Sequence, residues 1–185
     1  MAWVALKAGA HNTTLKICDG VPTWVVANCP GFVIGDTGPA GGKVFYVDAT
    51  GAHGLEAAPV DQTNDSGLAT WGCLGTSIPG TSTAVGTGAA NTTLIIAGCA
   101  EANTAAKVAH AYSLNGYTDW YLPSKDELAL LYEQKTVVGA FANDYYWSST
   151  EFGVRYEVWN QHFGYGYQPA CSKDAMIPVR AIRTF

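Results

Sequence analysis

The sequence feature that most constrains the fold is the stretch 145–185, where two strand-like runs enclose a long irregular segment. Residues 146–149 are aromatic and then small and polar, as in a core strand. Residues 179–183 alternate apolar and charged side chains, which is typical of a half-buried strand. The segment 152–178 between them mixes Tyr, Gly, Pro and Cys with little periodicity. Because such long irregular segments are usually functional, we expect the rest of the chain to serve as their framework.

One part of this segment, residues 158–163, has the periodicity of a strand. Successive side chains of a strand point to opposite faces of the sheet. The bulkier face is predicted to lie in the core and consists of Trp159, Gln161 and Phe163. The other face is predicted to lie in solvent and consists of Val158, Asn160 and His162.

Several motifs resemble a known family. YWSSTE (146–151), WNQHF (159–163), the Gly-rich turn after them and VRAIRTF (179–185) resemble, in this order, the variable region of diversity-generating retroelement target proteins. Upstream, GDTGPAGGKVFYVD, HGLEAAP and GYTDWYLPSKDEL are similar to the C-terminal domains of collagen-like lectins. The resemblance implies a C-type lectin-like fold of the α+β class, with two helices, mainly antiparallel strands and long loops.

In the family that the chain resembles, an error-prone reverse transcriptase randomises template adenines, mostly in Asn codons, and the variable region binds a ligand. A randomised AAC codon cannot yield Lys, Glu, Gln, Met or Trp. The residues that fit a fixed framework are therefore Trp159, Gln161, Gln168 and Lys173. Glu157 and Met176 depart from this rule and could come from AAG codons. An ordinary aromatic loop would also pass this test, because most residue types are permitted.

The resemblance implies a set of variable, ligand-binding residues. They are Phe152, Gly153, Val154, Arg155, Tyr156, Glu157, Asn160, His162, Tyr165, Tyr167, Pro169, Ala170, Cys171, Ser172, Asp174, Ala175 and Ile177. Aromatic rings and Arg are the usual anchors of protein interfaces. The main contacts are therefore predicted to be Phe152, Arg155, Tyr156, Tyr165 and Tyr167. The residues expected to anchor the segment by burial are Trp147, Trp159, Phe163 and Ile182.

The lectin-like domain is predicted to cover residues 35–185, with residues 1–34 as a hairpin-like appendage, because Asp19-Gly20 is a strong hairpin signal. We expect strands at 43–47 and 54–58, an irregular loop at 62–88 and a helix over 100–114. Ser124 and Glu127 form a capping box that opens a second helix, with Leu128, Leu130 and Leu131 buried. The last strand, 179–182, should pair near the first.

The five cysteines have no CxxC spacing, so a zinc site is not expected. We predict local disulfides between Cys18 and Cys29 and between Cys73 and Cys99, and hence an oxidising location. Cys171 is then left unpaired. The alternative is a reduced protein with small buried thiols.

Charge and composition narrow the range of partners. The 185 residues are 48% hydrophobic and 14% charged, so the chain can bury a core. The net charge of −5 argues against binding to nucleic acid or an anionic membrane. No apolar run approaches the ~20 residues of a membrane span, and no signal peptide is evident at residues 1–3. We expect a protein ligand on a cell or virus surface, and an extracellular, cell-surface or virion location.

No catalytic residue, cofactor or metal is predicted. The histidines His11, His53, His110 and His162 lie in neither a G-x-S-x-G nor an H-E-x-x-H motif. Residues 159–161 resemble the Trp-Asn-Asp calcium motif of sugar-binding lectins, but Gln161 replaces the carboxylate that calcium would need. Two alternatives stay open: an oxidase similar to formylglycine-generating enzymes, with a redox site at Cys171, and an invariant adhesion or structural domain.

Overall fold

The computed structural model of the chain describes residues 31–62, 68–153 and 155–185, together with the backbone of residues 14–18 and 21–25. At the N-terminus, β1 (Thr14–Cys18) and β2 (Val21–Val25) pair as an antiparallel hairpin, which confirms the hairpin predicted from the Asp-Gly turn. Phe32 packs edge-on against Phe185, with 4.8 Å between ring centroids. The division of the chain at residue 34 stays a prediction.

The first sheet joins the two ends of the described domain. β3 (Lys43–Val47), β4 (Gly54–Ala57) and β8 (Ile182–Thr184) are antiparallel and lie in the order β3-β4-β8. The two strands expected at 43–47 and 54–58 are therefore confirmed. The last strand pairs with β4 and thus lies near the first, as expected, but its predicted bounds of 179–182 were wrong, because it runs from Ile182 to Thr184. β4 follows β3 through a short turn and pairs with it. The other edge of β4 is then free to pair with β8.

The second sheet carries the irregular segment. β5 (Tyr145–Phe152), β6 (Glu157–His162) and β7 (Ala170–Ser172) are antiparallel and lie in the order β5-β6-β7. Asn160 of β6 lies opposite Trp147 of β5, and Val158 lies opposite Cys171 of β7. The central strand β6 therefore has a neighbour on each side.

Four helices connect the sheets in the described residues, where two were predicted: α1 (Gly88–Gly98), α2 (Ala105–Ala111), α3 (Lys125–Glu133) and α4 (Lys135–Val138). The α+β class is confirmed. The capping box of α3 is also confirmed, since the Ser124 hydroxyl accepts from the Glu127 amide and the Glu127 carboxylate accepts from the Ser124 amide. None of these helices combines the length and apolar character that a bilayer crossing requires.

The helix expected over 100–114 is shorter than predicted at both ends. Asn103 has a φ of 57° and Thr104 is extended, so the helix begins only at Ala105. Tyr112 is extended again and ends it. In α3, Leu128 and Leu131 are buried as expected, whereas Leu130 is only half-buried.

Helix α1 was not predicted because its sequence mixes Ala with Gly, Asn, Thr and Ile, whose helix propensities are lower than that of Ala. Tertiary contacts stabilise it instead. Ile95 is fully buried in the core. The Thr92 hydroxyl donates to the Gly88 carbonyl at 2.8 Å and accepts from the Leu122 amide at 3.0 Å, which ties the helix to the chain before α3.

The core has two parts. The larger part packs α1 and α2 against the second sheet, and its largest buried side chains are Trp71, Trp120 and Trp147. The smaller part lies between the first sheet and α3, and includes Phe45, Leu128, Tyr146, Phe163 and Ile182. The disulfide Cys73–Cys99 is present and joins the long loop to the end of α1, as predicted. The predicted Cys18–Cys29 disulfide lies outside the described residues.

Candidate ligand-binding surface

The segment predicted to bind a ligand consists of strands β6 and β7 of the second sheet and of the turns that connect them to their neighbours. Between β5 and β6 the chain reverses through Gly153 and Arg155, which both have positive φ values, of 64° and 76°. Val154, between them, lies outside the described residues. After β6 the chain turns through Gly166, whose φ is 85°. The strands thus fix the ends of each excursion while the turns project from them.

The predicted contact residues are exposed. The exposed fraction is 40% for Phe152, 56% for Tyr156, 75% for Tyr165 and 48% for Tyr167. We use the name display face for the exposed side chains among the predicted ligand-binding residues, which are Phe152, Arg155, Tyr156, Glu157, Tyr165, Tyr167, Ser172 and Asp174. Gly153 is exposed beside them, and four further predicted residues are half-buried: Pro169, Ala170, Cys171 and Ala175.

Three residues predicted to bind a ligand are buried instead, namely Asn160, His162 and Ile177. The expectation that one face of β6 lies in solvent was therefore wrong. Val158 on that face is fully buried in the main core, and α3 packs against β6. An alternating pattern of side chains predicts which of them are buried only when one face of the sheet is open to solvent. Here other parts of the protein cover both faces of β6.

The burial expected of the anchors holds for Trp147, Phe163 and Ile182, which are at most 3% exposed. Trp159 is only half-buried. Its ring packs against Phe152 at 4.7 Å between centroids, and the Lys125 ammonium lies 5.0 Å from its centre. Trp159 therefore supports the display face from below.

Four rings form a cluster at one end of the display face. His162 packs against Tyr145, Tyr165 and Tyr167, with centroid distances of 4.6, 4.7 and 5.3 Å. The hydroxyls of Tyr145 and Tyr167 are 2.6 Å apart. The His162 Nδ1 accepts from the amides of Gly164 and Tyr165, at 3.0 and 3.2 Å. The buried imidazole thus holds the turn that presents the two exposed tyrosines.

A buried ion pair anchors the other end of the segment. The Lys173 ammonium pairs with the Glu151 carboxylate, and their side chains are 0% and 5% exposed. The same ammonium donates to the Thr76 carbonyl at 2.6 Å and lies 4.6 Å from the centre of the Trp71 ring. Lys173 was predicted as framework from the family pattern, but nothing in the sequence indicated its partner.

The long loop contributes a neighbour that the sequence did not indicate. The Gly75 amide donates to the Arg155 carbonyl at 3.0 Å, and a Cβ at Gly75 would lie 3.8 Å from the Tyr156 ring. Leu74, which precedes Gly75, is 47% exposed. The disulfide at Cys73 holds this loop in place. Leu74 and Gly75, which lie outside the predicted variable segment, therefore border the display face.

Two cysteine-containing sites among the described residues bear on possible chemistry or metal binding. Burial raises the pKa of the Cys171 thiol to about 11, and the nearby carboxylates of Glu157 and Asp174 add to the shift. One group of three candidate metal ligands occurs among the described residues, Cys73, Cys99 and Glu101. Both of its sulfurs are joined in the disulfide, so they offer no thiolates to a metal.

No curated protein matches the chain significantly. A family model described as the Lcl C-terminal domain matches residues 64–183, which span the four helices, the second sheet and the beginning of the last strand. The match covers more than half of the 185 residues. Together with the α+β architecture, it supports the lectin-like scaffold and a role in ligand binding. The chain therefore belongs to the Lcl C-terminal domain family.

Proposed function

We propose that the protein is a ligand-binding module whose display face has been diversified by a retroelement and contacts a protein on a cell or virus surface. The observation that carries this proposal is the exposure of four large rings on one short segment: Phe152, Tyr156, Tyr165 and Tyr167. Clustered exposed apolar side chains mark interaction sites. Tyr offers a large contact area with few rotatable bonds, so ordering it on binding costs little entropy.

The arrangement of fixed and exposed residues also supports this proposal. The residues expected as framework include Gln161, Gln168 and Lys173. Gln168 and Lys173 donate to backbone carbonyls of other parts of the chain, at 2.9 and 2.6 Å, and Gln161 donates to the Gly166 carbonyl of the turn after β6, at 2.8 Å. Residues of the display face can be exchanged without loss of these contacts. A scaffold of this kind tolerates sequence variation because burial and backbone pairing, not the varied side chains, hold it together.

We further propose that the display face performs no reaction. The high pKa of the Cys171 thiol supports this, because the thiolate is the reactive form of cysteine and is scarce at neutral pH. An oxidase centred on Cys171 would need that thiolate. The disulfide Cys73–Cys99 supports an oxidising location outside the cell or on a virion.

Selection from a random-peptide display library on the immobilised chain tests the binding role. A variant with Phe152, Tyr156, Tyr165 and Tyr167 all changed to Ser is compared with a control that carries Ser at three exposed apolar positions elsewhere, Val60, Leu94 and Val137. Enriched peptides should bind the control as they bind the native chain, and at least about thirtyfold more weakly to the four-serine variant.

Two checks make this selection decisive. The native chain and both variants should each unfold cooperatively and well above the assay temperature, since the changed side chains lie outside the core. If the enriched peptides bind the four-serine variant as tightly as the native chain, the display face is not the binding site. For diversification, the gene neighbourhood should contain a reverse transcriptase and a near-copy of the 3′ end that differs at adenines. A locus without them would contradict that part of the proposal.

A further inference from the structure

The exposed charges of the described residues are almost all negative. The exposed carboxylates are Glu101, Asp119, Glu133, Glu157 and Asp174. In the part of the chain that the structure describes, Arg155 is the one cation that is exposed. Excess charge of one sign on a surface attracts ligands of the opposite sign.

The other described cations are held by the protein itself. Lys107 donates to the carbonyls of Cys99 and Glu101, and Lys135 donates to the carbonyl of Phe163. The remaining ones pair with carboxylates or carbonyls and are Lys43, Lys125, Lys173, Arg180 and Arg183. The positive charges thus serve the framework. Of the five exposed carboxylates, Asp119 pairs with Arg183, and the other four form no ion pair with a described residue.

Two of the exposed carboxylates belong to the display face and are both neighbours of Ser172. Glu157 lies opposite Ser172 in the β6–β7 pair, and the Ser172 hydroxyl donates to the Asp174 carboxylate at 2.5 Å. No ion pair of the described residues includes Glu157 or Asp174. A partner that brings a cation to this edge would meet two unpaired carboxylates.

The tyrosines of the display face suit the same ligand. Tyr165 and Tyr167 stack with 6.3 Å between centroids and 16° between ring planes, so their faces are parallel. Cations within the described structure lie over Trp71, Tyr117, Tyr132, Phe141 and Trp159, and none lies over Tyr165 or Tyr167. Tyr165 and Tyr167 also pack against His162, but 75% and 48% of these residues are exposed. Part of each ring therefore stays accessible to a Lys or Arg side chain, which tyrosine attracts through its π electrons.

We infer that the partner of the display face is a protein segment that presents Lys and Arg side chains to the two tyrosines and to the carboxylates of Glu157 and Asp174. The inference rests on the proposed function and specifies the chemistry of its ligand. Complementary charge accelerates association and selects among partners. The basic side chains would supply specificity, and the burial of Phe152 and Tyr156 would supply contact area.

Three fluorescent peptides of equal length test this inference: one of Lys, Arg and Gly, one of Glu and Gly, and one of Ser and Gly. Anisotropy titrations use the full chain at about 20 and about 300 mM NaCl, where screening differs strongly. The basic peptide should bind at least about tenfold more tightly than the Ser and Gly peptide at low salt, and lose that advantage at high salt.

Matched variants locate the effect. Tyr165→Ser with Tyr167→Ser should weaken binding of the basic peptide about tenfold. Glu157→Gln with Asp174→Asn should weaken binding of the basic peptide about fivefold. The control Glu101→Gln with Glu133→Gln removes the same number of charges outside the display face and should retain tighter binding than either display-face variant.

Two results would overturn the inference: equal or tighter binding of the acidic or uncharged peptide, or equal binding of the basic peptide to the native chain and both display-face variants. Failure here is separable from failure of the proposed function. If the library selection yields peptides that need the display face but lack Lys and Arg, the binding role stands and the basic partner is wrong. If no selected peptide needs the display face, the binding role itself is wrong.

Discussion

Replacing Lys173 by Met should destabilise the protein strongly. The Lys173 side chain is fully buried, and its loss leaves the Glu151 carboxylate, which is 5% exposed, without a counter-charge. That carboxylate would keep only the Ser77 hydroxyl at 3.2 Å and the Ile78 amide at 3.1 Å. The Thr76 carbonyl would also lose its donor. Breaking a buried pair by removing one partner costs about 3–5 kcal/mol, a large part of the ~5–15 kcal/mol of a typical domain.

Urea unfolding followed by tryptophan fluorescence measures this loss, because Trp71 lies beside the ion pair. The control is Lys125→Met, which removes an ammonium 3.7 Å from the Asp126 carboxylate, with side chains 23% and 44% exposed. Exposed pairs contribute at most about 1 kcal/mol. The double change Glu151→Met with Lys173→Met should cost less than Lys173→Met alone, since no unpaired carboxylate remains. If Lys173→Met costs no more than Lys125→Met, the buried pair does not anchor the segment.

Two further predictions concern the cysteines. Burial raises the pKa of the Cys171 thiol to about 11, so iodoacetamide at pH 8 should alkylate it roughly a hundredfold more slowly than a free cysteine of pKa about 8.5. Its rate should rise with each pH unit up to that pKa. Peptide mass spectrometry measures the rate, and alkylation as fast as that of free cysteine would contradict the assigned burial. Changing Cys73 and Cys99 together to Ala opens a loop whose ends are 26 residues apart, which should lower the unfolding free energy by about 3 kcal/mol in chemical denaturation. An unchanged midpoint would show that the disulfide does not constrain the long loop.

Local patterns were sufficient for a large part of the fold. The capping box at Ser124 and Glu127 predicts the start of α3, because both hydrogen bonds join residues three positions apart. The β-type runs at 43–47 and 146–149 indicate strands, and the Asp19-Gly20 turn indicates a hairpin. These features depend on neighbours in the chain, so no tertiary information is needed to find them.

The exposure of the tyrosines was also predictable, although not from periodicity. Tyr165 and Tyr167 lie beside Gly164 and Gly166 in a stretch without regular alternation, where a turn is expected. The flanking motifs resemble, in the same order, the variable region of retroelement target proteins. This resemblance is the basis for the predicted role of the segment in ligand binding. The residues that bind a ligand stay a prediction, and the position of each one relative to solvent is known for all except Val154.

The sequence by itself determined which residues are strand-like, where α3 begins, which cysteines flank the long loop and which rings belong to the irregular segment. Only the tertiary structure decided that Asn160 and His162 are buried, that α1 is helical and that Lys173 pairs with Glu151. The physical reason is distance along the chain. Burial on both sides of β6 and the partner of a buried ammonium depend on segments that meet only after folding, and a local pattern cannot indicate which segments those are.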